Sequence, residues 1–201
     1  YRSVGAATVV ASTRDNDTAG VTIALTGGSN NVTEPNTTDT LTVVLDSEPT
    51  GNVVINTISS DTTEATLSPS TVTFTAGNWN TPQTVTITAA NDFIVDGTLN
   101  SIITLQVNDA STADSVYDAV DNVTTFVSIT DDDSLGINAS VSSATINEGS
   151  TATVGVTLNA QPSANIVLSL TVSDPNEASI DVSTMTFTTS NYATPQNVVV
   201  T

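Results

Sequence analysis

Short runs in which apolar and polar residues alternate recur along the chain, each bounded by clusters of Gly, Pro, Asn and Asp. The alternation is plainest in Leu41/Val43/Leu45, in Val72/Phe74, in Val85/Ile87 flanked by Thr84, Thr86 and Thr88, and in Ile103/Leu105/Val107. An extended backbone sends successive side chains to opposite faces, so a period of two puts one face on a core and the other in water. The pattern predicts seven strands, over residues 21–26, 40–46, 52–59, 71–75, 84–89, 101–108 and 123–130. Val, Ile and Thr dominate them, as suits a pleated, half-buried surface. No stretch reads as a helix of ten residues or more, so the chain is expected to be all-β. Val43, Leu45, Val53, Ile55, Phe74, Val85, Ile87, Leu105 and Val127 are the expected interior.

The sequence also repeats itself. Residues 52–88 align without a gap on residues 165–201, and Asp61, Glu64, Phe74, Trp79 and Pro82 fall on Asp174, Glu177, Phe187, Tyr192 and Pro195, always 113 positions on. Glu34 meets Glu148 at a spacing of 114, while Gly20-Val21 meets Gly136-Ile137 at 116. Tyr1 and Asp15-Asn16-Asp17 match Tyr117 and Asp131-Asp132-Asp133, again at 116, so short loop insertions account for the drift. Self-similarity at a fixed period marks an array of like units. The expected division is a C-terminal strand of a preceding repeat over residues 1–19, a complete sandwich over 20–135 and the N-terminal two thirds of a following sandwich over 136–201. Seven strands per unit of about 115 residues suit two antiparallel sheets packed face to face, an immunoglobulin-like sandwich in tandem. Residues 136–201 lack counterparts of the last two strands, which predicts an open hydrophobic groove there. The stretch Tyr1 to Thr13 corresponds to a final strand and is expected to complete a partial sandwich, in the same polypeptide or by donation to a neighbouring copy.

Charge narrows the function. Against 21 acidic residues stand only Arg2 and Arg14, with no Lys and no His, for a formal net charge of −19. A basic footprint for nucleic acid or anionic lipid is absent from the sequence. Charged residues nevertheless make up only 11% of the chain, so most solvated positions are Thr, Ser and Asn. Without His, Cys or Lys there is no Ser-His triad, thiolate, Schiff base or imidazole-held metal, and the chain is expected not to be an enzyme. The lack of Cys leaves the redox compartment open. No apolar run approaches the roughly 20 residues that span a bilayer. Tyr1 opens the chain with neither an initiator Met nor a signal peptide, as expected of a fragment or processed product.

Three local features carry candidate chemistry. Asp131-Asp132-Asp133 places three carboxylates side by side, and they repel one another unless solvated or bridged by a cation. Trp79 and Tyr192, at one repeat position, read either as lids packed over the end of a sandwich or as a stacking platform for a glycan. The pairs Asp61/Glu64 and Asp174/Glu177 sit in turn-rich segments and read as turn hydrogen bonding rather than as a glycosidase acid and base.

The segment 85–97 (VTITAANDFIVDG), Glu34 after the first strand, Tyr117 before the last and the closing Thr130-Asp131-Asp132-Asp133 together resemble a Calx-β repeat. The variant with Ser60-Asp61-x-x-Glu64-Ala65 and residues 78–83 (NWNTPQ) is similar to repeats of very long secreted or surface-anchored bacterial proteins. The resemblance implies a seven-stranded sandwich, tandem connection and calcium bound where one domain meets the next. It implies Glu34, Asp92, Asp96, Asp131, Asp132 and Asp133 as metal ligands gathered at one end of the sandwich. The chain departs from the calcium-binding members at Asn91 and at Thr98-Leu99-Asn100, where they carry acids. The expected role is an extracellular or cell-surface structural and adhesive module, forming a stalk or fibre stiffened by calcium at its junctions. Its expected partners are neighbouring repeats of the same polypeptide or copies of itself in a fibre. The rival roles are a filament subunit assembling by strand donation and a module that holds a surface glycan or protein ligand.

Overall fold

The computed structural model of the chain describes residues 8–141 and 145–201. Part of the expected leading strand, residues 1–7, lies outside the described residues. Residues 8–20 form no strand, and Val9 and Val10 are exposed.

From Val21 onward the seven expected strands are all present. They are β1 (Val21–Leu25), β3 (Thr38–Leu45), β4 (Val53–Ser59), β6 (Thr71–Phe74), β7 (Gln83–Ala89), β8 (Thr98–Val107) and β9 (Val123–Thr130). Two short strands join them, β2 (Asn31–Thr33) and β5 (Ala65–Ser68). The strands form a four-stranded sheet, β1-β3-β7-β5, and a five-stranded sheet, β2-β9-β8-β4-β6. Every pairing is antiparallel except that of β2 with β9, which runs parallel with Val32 opposite Ile129. The chain enters in the first sheet with β1 and crosses to the second with β2, and this crossing sets β2 alongside β9 in the same direction.

The period-two pattern does the packing. Leu41, Val43 and Leu45 of β3 and Val85, Ile87 and Ala89 of β7 face Val53 and Ile55 of β4, Ile103 and Leu105 of β8 and Val127 and Ile129 of β9 across one core. All nine residues expected inside are buried, with Phe74 fully enclosed.

Tyr117, in a single 3-10 turn at Tyr117–Ala119, is 1% exposed, and its hydroxyl donates to the Ser47 carbonyl at 2.6 Å and accepts from the Ser47 N–H at 3.2 Å. It thereby pins the approach to β9 onto the turn that leaves β3. Tyr117→Phe keeps the ring and strands those Ser47 groups. The expected result is a loss of about 1 kcal/mol in urea unfolding at unchanged m-value.

Beyond Gly136 the chain builds β10 (Ile137–Ala139), β11 (Ala152–Leu158) and β14 (Gln196–Val200) in one sheet, and β12 (Ile166–Ser169) with β13 (Thr184–Phe187) in another. Their core is small, with Val156, Met185, Phe187 and Val198 at its centre. A groove of about 350 Å³ lined by Ile137, Val154, Leu168 and Ile180 lies open between the two sheets. In the first sandwich β4 pairs with β6 on one side and β8 on the other; among the described residues β12 pairs with β13 alone.

Candidate metal centre

Four chain segments reach one end of the first sandwich. Beyond β2 the Glu34 N–H donates to the Thr130 carbonyl at 3.0 Å, which continues the parallel pairing and holds Glu34 beside the exit of β9. Beyond β7 the Ala90 N–H donates to the Glu64 carbonyl at 2.8 Å, which brings the residue before β5 to the start of the loop over residues 91–97. Beyond β9 the chain leaves through Asp131, Asp132 and Asp133.

The loop is shaped by its own acids. The Asp92 N–H donates to Glu34 Oε2 at 3.2 Å, and the Ile94 N–H donates to Asp92 Oδ1 at 2.7 Å. Asp131 Oδ2 accepts from the N–H groups of Asp96 and Gly97 at 3.0 and 2.9 Å, and its Oδ1 accepts from the Asp133 N–H at 2.7 Å. Gly97 holds φ +82°, a left-handed conformation that lets the chain turn into β8. The Asp131–Asp133 contact recurs upstream, where the Asp17 N–H donates to Asp15 Oδ1 at 3.0 Å.

Carboxylate oxygens converge here in two groups, each with its oxygens within 4.8 Å of one another. One is Glu34, Asp132 and Asp133; the other is Glu64, Asp92 and Asp96. Five of the six residues singled out in the sequence fall into these groups. Asp131 belongs to neither, because backbone N–H donors occupy its carboxylate. Glu64 is the addition: expected to serve a turn together with Asp61, it instead aims its carboxylate at Asp92 and Asp96. Asp61 does serve the turn, accepting from the Thr63 N–H and hydroxyl at 3.0 and 2.6 Å.

Burial makes these charges costly. Glu34 and Glu64 are 5% and 8% exposed, and Glu64 has no hydrogen-bond donor to its carboxylate among the described residues. Asp133 Oδ2 is enclosed and likewise unpartnered. Desolvation pushes the carboxyl of Glu34 upward, and the charges of Asp92, Asp131 and Asp96 add to it. Desolvation also raises Glu64, reinforced by Asp96 and Asp92, and raises Asp96 and Asp133, each reinforced by neighbouring aspartates. Asp131 is held low by the N–H groups of Gly97 and Asp133.

Calcium fits this donor set. It takes oxygens at about 2.3–2.6 Å, so two ligands on one ion sit no more than about 5 Å apart, and the spacing within both groups meets that limit. An enclosed, unpartnered carboxylate oxygen is the kind of atom a bound cation satisfies.

Trp79 is half-buried against the core, and its carbonyl accepts from the Leu45 N–H at 3.1 Å. No helix among the described residues is long and apolar enough to cross a membrane.

No family model and no curated protein sequence matches the chain. Solved structures similar to it include CBD12 from CALX1.2, at 13% identity over 89% of this chain and 74% of that one with a TM-score of 0.38. The YadV chaperone is similar at 12% identity over 90% and 83%, with a TM-score of 0.38. Domains 5-6 of the S-layer protein SbsC are similar at 17% identity over 92% and 84%, with a TM-score of 0.31.

Proposed function

We propose that the chain is a non-catalytic spacer outside the cell, a piece of an extended stalk or fibre whose sandwiches are stiffened at their junction by calcium. The observation that carries this reading is the convergence of six carboxylates in two groups at one end of the sandwich, with Asp133 Oδ2 enclosed and unpartnered in one and the largely covered Glu64 facing Asp92 and Asp96 in the other. Glu34, Asp132 and Asp133 would hold one ion, and Glu64, Asp92 and Asp96 another. Asp131 would fix the loop through its backbone contacts. The ion supplies the positive charge that a chain with two Arg and no Lys lacks. Three carboxylates per group, fewer than the six to eight oxygens calcium takes, suit the weak affinity of extracellular calcium modules, about 10⁻⁴–10⁻³ M, which matches a compartment rich in calcium.

One ion would tie the exit of β9 to Glu34 beyond β2, and the other the 91–97 loop to Glu64; the first would hold the direction in which the chain leaves toward Leu135 and Gly136. Calorimetric melting in excess calcium and then in excess chelator, at fixed ionic strength, tests this. An ion that binds only the folded state adds about 1.4 kcal/mol when free calcium is tenfold above its Kd, and the expected result is a higher melting temperature with calcium. Equal melting temperatures would leave a purely mechanical spacer.

A further inference from the structure

The five-stranded sheet of the first sandwich turns its outer face to solvent, and that face is apolar at its centre. Ile102 of β8 stands directly opposite Phe126 of β9, and Ile58 of β4, paired with Thr104, lies on the diagonal beside Ile102. Alternation sends all three away from the core: they are 52%, 64% and 41% exposed in the order Ile102, Phe126, Ile58, while the adjoining Ile103 and Val127 point inward and are fully buried. β8 is the middle strand of the five, so the patch lies in mid-face rather than at an edge, and nothing among the described residues covers it. Single exposed apolar side chains are ordinary on a protein surface, whereas a contiguous group marks a contact.

The face is also without charge. Every other outward-facing residue of its five strands is Thr, Ser, Asn, Gln or Val, whereas the acids of this sandwich lie outside its strands, Asp39 of β3 excepted. In a chain of net charge −19, two copies repel one another across their acidic ends and loops, and on this flank they do not. Val10 stands 116 positions before Phe126, the offset at which Tyr1 meets Tyr117, so the repeat keeps an apolar residue at this position. Strands about 4.8 Å apart with about 3.3 Å per residue give the face a footprint of roughly 500 Å². A standard stable interface buries about 800 Å² per partner, so the face suits a weak dimer rather than an obligate one.

We infer that the Ile102–Phe126 face is the side-by-side contact between two copies of this chain, packed sheet on sheet about a two-fold axis. Phe126 of each copy then rests on Ile102 of the other, so one cross-strand pair serves both sides of an isologous contact. Both residues are in mid-strand on the flank, away from the exit of β9, so the contact is independent of the ion groups. Joints between successive sandwiches lengthen a stalk; this contact bundles neighbouring stalks. A single contact is weak, and repeats in register multiply it.

Sedimentation of the full chain in excess chelator at high ionic strength tests this, because chelator removes any bridging ion and salt screens the acids. The expected result is a mass that rises from monomer to dimer with concentration, and a dimer that weakens as salt is lowered. Phe126→Thr is expected to weaken association roughly tenfold or more, since two rings per dimer lose their burial, and Thr suits an exposed strand position. Ile102→Thr is the second variant, and unchanged melting shows that each folds. The chain has no cysteine, so single-cysteine variants locate the contact. Thr124→Cys, on the same face beside Phe126, is expected to be joined between copies by a flexible bis-maleimide, and Thr84→Cys, on the outer face of the other sheet, is not. A protein that stays monomeric, as it would if the face served a glycan or a foreign protein instead, overturns the inference. So does a dimer that folded Phe126→Thr leaves intact, or equal linking at Thr84→Cys.

Discussion

Asp114→Asn is expected to destabilise the first sandwich by about 3 kcal/mol, because it reverses one partner in a buried, fully used carboxylate. Asp114 is 2% exposed. Its Oδ2 accepts from the Thr50 N–H at 2.6 Å and the Thr50 hydroxyl at 2.9 Å, and its Oδ1 accepts from the N–H groups of Val116 and Tyr117 at 2.8 and 3.3 Å. An amide is isosteric but must turn its NH₂ toward donors on one side, opposing either the Thr50 N–H or the N–H groups of Val116 and Tyr117, while the Thr50 hydroxyl can turn to accept. The residue joins the turn after β3 to the 3-10 turn that carries Tyr117, so both anchors of β9 loosen together. Desolvation would raise this carboxyl, but the Thr50 and Val116 N–H donors outweigh it and hold it low. A depressed folded value means that the stabilisation is present above the unfolded carboxyl range and is lost as pH falls through the folded value. Urea unfolding at neutral pH should show the full difference between wild type and variant, and acid titration should shrink it. A difference that stays constant into acid would place the effect in packing rather than in the carboxylate.

The seven expected strands were legible because each carries at least two large apolar residues on one face, and a packed sandwich permits no other register. β2 and β5 were not. Asn31-Val32-Thr33 offers one apolar residue and Ala65-Thr-Leu-Ser68 only two small or partly covered ones, so their pairing is fixed by neighbours rather than by their own pattern. The missed strand explains the missed ligand. With β5 absent, Glu64 looks like a turn residue next to Asp61; with Ala65 paired to Ala89 across β7, it lies against the loop that holds Asp92 and Asp96. The one signal in the sequence was its recurrence as Glu177, which turn hydrogen bonding explained equally well. The reverse holds for Asp131, whose membership of an acidic triplet said nothing about the three N–H groups that converge on it. The acidic end as a whole was visible through family resemblance alone, since nothing in composition or spacing joins Glu34 to residues a hundred positions away.

Glu64→Gln is expected to act with opposite signs in calcium and in chelator. In chelator Glu64 is largely covered and its carboxylate faces Asp96 and Asp92, and desolvation together with those charges raises its folded pKa. A raised folded value means that its contribution to stability is fully present below the unfolded carboxyl range and is lost as pH rises through the folded value. At neutral pH the chelated wild type therefore carries a penalty, which Gln removes, and the variant should melt higher by the equivalent of about 1 kcal/mol. In calcium the same carboxylate is one of three charged ligands in its group, and Gln offers a carbonyl oxygen without charge. A tenfold loss of affinity costs about 1.4 kcal/mol of calcium-linked stability, so the variant should melt lower than wild type, for a total swing of about 2–3 kcal/mol between the two conditions. The two melts, at neutral pH and fixed ionic strength, separate the rival accounts without assuming either. A loop end that has kept its acids but binds no ion gives a variant that is more stable in both buffers, whereas only an ion held by Glu64 itself reverses the order.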